Sequence, residues 1–256
     1  AFKNQYSIGA VNSINWGRIC AQIVYYIKGY TATVANIGEP LDVVVPSGNF
    51  GNILAGYIAK QMGVPLRNLV IATNENKVLD TLFKTGIYRQ EDVETTSSPS
   101  MDISKASNFE RLLFDCVNHN AGTCSKLMSQ FEKNKEIDIS HLIELLIQNQ
   151  GFKSQSSNHQ QRIDTIKRVY ETANLIIDPH TAAGIYVAES FESDIPILCM
   201  ETAKPTKFES TVEEALGKVP ERDNDFKDLE SKEQRFYDVS ANAESLKTFI
   251  KEHITL

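Results

Sequence analysis

The stretch that most constrains this chain is Leu41-Asp42-Val43-Val44-Val45, followed by Pro46-Ser47-Gly48-Asn49-Phe50-Gly51-Asn52 and the apolar run Ile53–Ala59. Three consecutive β-branched residues predict a buried strand. The glycine, serine and asparagine that follow predict a tight turn, and the Ala/Leu pattern after Asn52 predicts a helix. A strand, a glycine-bearing turn and a helix N-terminus can together hold an anion, because free main-chain N–H groups converge there and the helix dipole favours negative charge. Gly48 and Gly51 would let the backbone approach a phosphate and take a positive φ where needed. An ordinary strand-to-helix turn with an Asn or Ser cap has the same composition, so the stretch alone permits an anion site without requiring one.

The flanking sequence repeats the alternation. Ile19, Ile23 and Tyr26 fall three and four apart and predict a helix over about 16–30, with Asn12 and Ser13 as its cap. The helix after Asn52 should end at Met62-Gly63-Val64-Pro65, and Leu69–Thr73 is the next strand. Asn74-Glu75-Asn76 would cap a helix over 77–84, which Gly86 stops. Strands and helices joined by short loops predict an α/β fold with an open, mostly parallel sheet flanked by helices. From 87 to 175 no clear strand is visible. Helical pieces at about 109–117, 127–131, 141–148 and 162–173 read as a helical insertion, about 109–175. Residues 94–108 form a polar loop, either a lid or a surface loop. Residues 1–9 read as a loop, 118–124 as another, and 151–160 as a flexible polar segment. A helix at about 182–191, a strand over 195–200, and helices at 211–216 and 243–253 complete the chain.

Composition narrows the function. The net charge of −7 and the lack of a basic stripe argue against a nucleic-acid partner. Cys20, Cys116, Cys124 and Cys199 are scattered, without metal-ligand spacing, and read mostly as buried free thiols. No stretch reads as a membrane span or a signal peptide, so the expected location is cytoplasmic. The first residue is Ala1, which suggests a piece of something longer.

Four clusters could carry chemistry. The first is the turn Ser47–Asn52. The second is Asn12, Ser13 and Asn15 with Arg18, whose amides, hydroxyl and guanidinium could grip a second phosphate or could simply cap a helix bearing a surface Arg. The third is Glu201-Thr202-Ala203-Lys204-Pro205 after a buried strand, where ligands of open α/β sheets bind. A hydroxyl there could bond a heterocycle nitrogen, although in isolation a plain strand-to-loop turn is the favoured reading. The fourth is Asp178-Pro179-His180-Thr181. His180 could be a base, but the favoured reading makes Asp178 or Thr181 a helix cap with His180 packed beside it. Nothing matches a nucleophile elbow.

Six stretches, in order, resemble the threonine synthase family, pyridoxal-phosphate enzymes of fold type II. They are IGAVNSINWGRICAQIVYY (8–26), VVVPSGNFGNILAGYIAKQMGVP (43–65), IATNENKVLDTLFKTGIY (71–88), TTSSPSMDISKASNFERLL (95–113), LIIDPHTAAGIYVAE (175–189) and ETAKPTKF (201–208). The resemblance implies that Ser47, Gly48, Asn49, Phe50, Gly51 and Asn52 cradle the phosphate of pyridoxal 5′-phosphate. It implies that the Thr202 hydroxyl bonds the pyridine nitrogen, and that Asn12, Ser13, Asn15 and Arg18 grip the phosphate of O-phospho-L-homoserine. The implied reaction converts that substrate and water to L-threonine and phosphate. The family's Schiff-base lysine lies upstream of the NSIN stretch, in an AFKD-like motif. Here Asn4 replaces the Asp and the flanking residues differ, so Lys3 reads as a surface residue and the catalytic lysine as outside these residues. The 256 residues would then be the C-terminal portion of the large cofactor-binding domain, inactive alone. Alternatives are a related phospholyase that releases 2-ketobutyrate and a non-catalytic phosphate-binding module.

Overall fold

Along Leu41–Pro46 (strand β1), Leu41, Val43 and Val45 meet one core and Val44 another, and all six residues are buried. A strand with period-two side chains and two apolar faces must lie in the middle of a sheet covered on both sides. In the computed structural model, β1 pairs in parallel with β2 (Leu66–Thr73) on one side and with β6 (Ile197–Cys199) on the other. Strand β5 (Phe152–Ser156) adds to the far edge of β2, again in parallel, giving the order β5-β2-β1-β6.

The structure describes residues 2–9, 12–222, 224, 227 and 229–253. They fall into two units, Ser13–Pro220 and a terminal unit of Ala1–Asn12 with Glu221–Leu256. Within the terminal unit, α1 (Phe2–Gln5) brings Phe2 onto Tyr6, with ring centroids 4.6 Å apart. The helix Ala243–His253 sets Phe249 against Tyr237 in a tilted contact, with ring centroids 5.1 Å apart.

In the large unit, α2 (Trp16–Thr33), α3 (Gly51–Gln61) and α4 (Val78–Thr85) share the larger core with Leu41, Val43 and Val45. After β3 (Ile87–Arg89) come α5 (Phe109–Cys116), α6 (Ala121–Asn134), β4 (Glu136–Asp138), α7 (Ser140–Gln150) and α8 (His159–Ala173). Helix α9 (Pro179–Ser190) covers the opposite face through Val187, and α10 (Glu209–Leu216) packs on α8.

The structure corrects several local expectations. The stretch 87–175 contains three strands: β3 and β4 pair as a small antiparallel sheet, and β5 edges the main one. Only Phe152 of β5 is apolar and fully buried, because an edge strand needs one anchoring side chain and takes its pairing from main-chain bonds. Residues 151–160 therefore form an ordered strand followed by a capping box at Asn158 and Gln161. Residues 2–5 are a helical turn, and α6 starts at Ala121 inside the supposed loop. The cap of α2 is Asn15, whose Oδ1 accepts the Gly17 N–H at 2.8 Å, in place of Asn12 or Ser13.

Helix α4 has no side-chain cap from the Asn74–Asn76 run. Those asparagines instead hold the 94–108 loop. Asn74 Nδ2 donates to Asp102 Oδ1 at 2.7 Å and Asn76 Nδ2 to the Glu94 carbonyl at 2.9 Å. Ser98, Met101, Ala106 and Asn108 are buried, so the loop is a packed wall and not a surface loop. Buried Arg162 ties it from below, donating to Ser97 Oγ at 3.0 Å beside Glu75.

A carboxylate is also buried inside this frame. Asp42 is fully buried and takes two bonds from Arg67, at 2.6 and 3.0 Å, with Ser193 Oγ at 2.7 Å and the Asn68 N–H at 3.0 Å. Burial pushes its carboxyl up, but the bonds from Arg67, Ser193 and Asn68 outweigh it and hold the group below its ordinary range. Its stabilising contribution is therefore complete above the ordinary carboxylate range and is lost as pH falls through the lowered folded value. Replacing Asp42→Asn should cost about 2 kcal/mol in urea unfolding at neutral pH, less than a fully buried pair because Arg67 keeps solvent contact. The difference from the parent protein should shrink as the pH is lowered.

Candidate active site

The turn between β1 and α3 is shaped by an aromatic residue. Phe50 is the N-cap of α3 and takes the left-handed conformation, φ 65°, while neither Gly48 nor Gly51 has a positive φ. The ring of Phe50 is buried among Phe83, Phe109 and Phe152, with centroids at 6.1, 5.7 and 6.2 Å. The two glycines serve close approach instead. A Cβ on Gly48 would lie 2.5 Å from the Ser100 carbonyl oxygen, and one on Gly51 would lie 3.2 Å from Ile19 Cδ1. The expected Asn or Ser cap is also absent: Phe50 offers no side-chain acceptor, so none from the cap position occupies the first-turn N–H groups of α3.

The other turn residues divide between support and reach. Ser47 donates its N–H to Ala72 O at 2.8 Å and its hydroxyl to Val45 O at 2.9 Å, so both donors are committed inside the fold. Asn49 O accepts from the Asn108 N–H and from Asn108 Nδ2, both at 3.1 Å. The same Nδ2 reaches Ser13 O at 2.9 Å, which fastens the turn to the segment before α2. Asn52 accepts the Tyr26 hydroxyl at both its carbonyl and its Oδ1, at 2.8 and 2.9 Å. Burial pushes the Tyr26 phenol well up, so it remains a donor.

The turn forms one wall of a cavity of about 620 Å³ beyond the C-terminal ends of β1 and β6. Ser13 and Arg18 reach it from the α2 side, and Thr202 with Glu201 reaches it from the segment after β6. The Met200 N–H bonds Val44 O at 3.0 Å, carrying the sheet up to that rim. Residues of the three clusters read from the sequence therefore meet, although Ala203, Lys204 and Pro205 of the third do not line the cavity and two positions of the second differ. Asn15 caps α2 and is not among the lining residues, and Asn12 belongs to the terminal unit.

Gln22 and Tyr25 also line the cavity, and sequence reasoning missed them. Arg18, Gln22 and Tyr25 follow one another at i, i+4 and i+7, so a signal existed in the helical spacing. Gln22 Oε1 is buried without a hydrogen-bond partner among the described residues. Buried acceptors of this kind cost free energy unless something supplies a donor.

His180 lines the cavity too, with both ring nitrogens engaged. Nδ1 lies 2.8 Å from Asp178 Oδ1, and Nε2 accepts the Ser100 N–H at 3.1 Å. Asp178 caps α9, accepting the His180 N–H at 2.8 Å, in line with the capping role read from the sequence. Burial pushes the Cys116 and Cys199 thiols up to about 12, so neither supplies a thiolate. Cys20 is exposed, unlike the apolar setting expected for most of the cysteines. Among the described residues no cluster of His, Cys, Asp and Glu could hold a metal ion.

The packing of the two glycines makes a direct test. Gly48→Ala drives a Cβ into backbone and should cost about 1–3 kcal/mol of unfolding free energy. Gly51→Ala has its tightest contacts with side-chain atoms, Ile19 Cδ1 at 3.2 Å and Asn108 Nδ2 at 3.3 Å, and should cost less, about 1 kcal/mol. Urea titrations of the two variants check the order.

A family model described as "Threonine synthase, C-terminal" matches residues 181–250. The threonine synthase of Methylobacillus glycogenes is 49% identical over 259 aligned residues, covering 99% of this chain and 54% of that protein. The crystal structure of a pyridoxal-phosphate-bound threonine synthase from Brucella melitensis superposes with a TM-score of 0.91 at 34% identity, over 98% of this chain and 54% of that one. The yeast threonine synthase structure gives 0.83 at 33% identity, over 96% and 53%. The chain thus spans about half the length of the relatives it matches, while the matches cover nearly all of this chain. On these grounds the chain is similar, over nearly its whole length, to about half of a threonine synthase, and it shares the fold of those relatives, fold type II.

Proposed function

We propose that the cavity binds pyridoxal 5′-phosphate and that the protein to which these residues belong converts O-phospho-L-homoserine and water to L-threonine and phosphate. The observation that carries this reading is the turn capped by Phe50, whose helix N-terminus has no side-chain cap and faces the same cavity as Arg18 and Thr202. The lining suits the cofactor: a turn whose Gly48 packs against the Ser100 backbone, a helix N-terminus without a side-chain cap, and the Thr202 hydroxyl after β6. A matched relative holds pyridoxal phosphate.

Pyridoxal phosphate, when bound, supplies an electron sink for carbanion chemistry at the substrate's α and β carbons. The chain's own residues bind, orient and stabilise charge. Main-chain N–H groups from Gly48 to Asn52 would hold the cofactor phosphate at the helix N-terminus. Ser47, with both donors committed, would shape the turn instead of gripping the anion. The Thr202 hydroxyl would bond the pyridine nitrogen. A neutral partner there favours an unprotonated ring, where a carboxylate would favour a protonated one.

Arg18 and Ser13 would hold the substrate phosphate, and Arg18 would meet the charge that builds on it as the bond to Cγ breaks. Asn12 remains a proposed contact of that phosphate. Asn15 would act through the cap that orients the first turn of α2, which carries Arg18. No lysine is among the cavity-lining residues. Lys3 is exposed on α1 in the terminal unit, in keeping with a surface role. The Schiff-base lysine would come from the remainder of a family-length protein. We place residues 1–256 as the C-terminal portion of the cofactor-binding domain, with about 109–175 as its insertion.

A small-molecule substrate, no nucleic-acid or membrane partner and a cytoplasmic location belong to the same reading. Its physical supports are the net charge of −7 and, among the described residues, no helix long and apolar enough to cross a membrane.

The test is steady-state kinetics with product analysis on the full-length protein. Phosphohomoserine should yield L-threonine and phosphate in equal amounts. Release of 2-ketobutyrate would identify a phospholyase, and cofactor binding without any product would identify a binding module. Arg18→Ala should lower kcat/KM by about a hundredfold, the loss of one charge-assisted grip on a developing anion. An unchanged kcat/KM would remove Arg18 from the phosphate site.

A further inference from the structure

The proposed reaction gives His180 no task, yet this residue is built into the cavity wall with unusual care. Its side chain is only 2% exposed. Asp178 is a carboxylate and can only accept, so the bond of 2.8 Å to Nδ1 places the ring proton there. Nε2 is left as a lone pair, and it accepts the Ser100 N–H at 3.1 Å. Phe208 packs against the ring, with centroids 4.6 Å apart.

Ser100 lies in the turn Pro99–Met101, whose backbone leans directly on Gly48. The Ser100 carbonyl oxygen and Met101 Cα would lie 2.5 and 3.0 Å from a Cβ built on Gly48. Asn74 holds this loop through Thr96, Ser98 and Asp102. The N–H of Ser100 itself is held by His180. A continuous set of contacts therefore runs from the α9 cap at Asp178, through His180 and Ser100, to the first glycine of the anion turn.

We propose that His180 is a positioning residue of the phosphate turn: through its Nε2 it holds the Ser100 turn against Gly48 and so sets the curvature of the main-chain N–H cradle. This rests on the reading of that turn as a phosphate cradle. A neutral imidazole suits the task because one rigid ring spans a carboxylate and a main-chain N–H. Asparagine could reach only the Asp178 side. Glutamine could place its oxygen near the Nε2 position.

The experiment compares His180→Asn and His180→Gln with the parent in the full-length protein prepared without cofactor. Hydrogen exchange is followed over 97–103, and equilibrium dialysis gives affinities for pyridoxal 5′-phosphate and for pyridoxal, which lacks the phosphate. The parent should prefer the phosphorylated form. His180→Asn should raise exchange over 98–102 and cut that preference by about tenfold, as expected for one lost buried hydrogen bond, without changing pyridoxal affinity. His180→Gln should restore most of both. If His180→Asn fails to fold, Ser100→Pro removes the same N–H from the other side and should lose the same preference. A preference preserved in His180→Asn or in Ser100→Pro overturns the role of His180. A parent that binds pyridoxal and its phosphate equally overturns the cradle reading, and this inference with it.

Discussion

Burial of the Phe50 ring is the interaction on which the rest of the site depends. A left-handed conformation costs a residue other than glycine roughly 1–2 kcal/mol. Burying a phenyl ring returns about 2–3 kcal/mol, and its aromatic neighbours add to that. Anchoring therefore outweighs strain, and the chain reverses sharply at the cap of α3 without a polar side chain. The consequence is chemical. An Asn or Ser cap would have spent its oxygen on the first-turn N–H groups, whereas an aromatic cap leaves them for an anion. The ring also couples the turn to later parts of the chain, because Phe109 and Phe152 belong to α5 and β5.

Much of this was legible before the structure. Val43–Val45 and Leu69–Thr73 declare themselves as buried parallel strands because both faces of each must be apolar. Gly86 stops its helix in the left-handed conformation as expected. The turn, Arg18, Ser13 and Thr202 could be named because strand ends and helix starts are where ligands of such sheets bind. Strand β5 was not legible, since its pairing lies in main-chain bonds and only Phe152 has a core to fill. Nor were the roles of Asn74 and Asn76. Asparagine before a helix reads as a cap, and only tertiary contact shows that these two face a loop twenty residues on. His180 was read as a packed residue beside a cap, which is right as far as it goes. Its bond to Ser100 spans eighty positions and leaves no local trace.

The same contacts explain why the cavity walls are stiff. Asn108 is fully buried and joins Ser13, before α2, to Asn49 in the turn. Tyr26 crosses from α2 to Asn52 and lies against Gly56, where a Cβ would fall 2.5 Å from its ring. Each bond is modest, about 1 kcal/mol net. Together they fix α2, α3 and the 94–108 loop to one another at the places where they meet the cavity. Donors held this way need no reorganisation when an anion arrives, which is the condition for electrostatic stabilisation to be effective.

That arrangement also divides the electrostatic labour. Arg18 is the one cation among the cavity-lining residues, and Glu201 stands at the rim as a carboxylate. A site that spent its guanidinium on a permanently bound phosphate would have no charge left to meet a departing one. Here the permanent anion can be held by main-chain dipoles and the glycine approach, which cost no net charge. In the proposed reaction the Arg18 side chain on α2 would then remain for charge that develops on the leaving group. His180 fits the same division: its Nε2 accepts the Ser100 N–H and so faces backbone, not an anion. In the proposed reaction, the departing charge would then be left to Arg18.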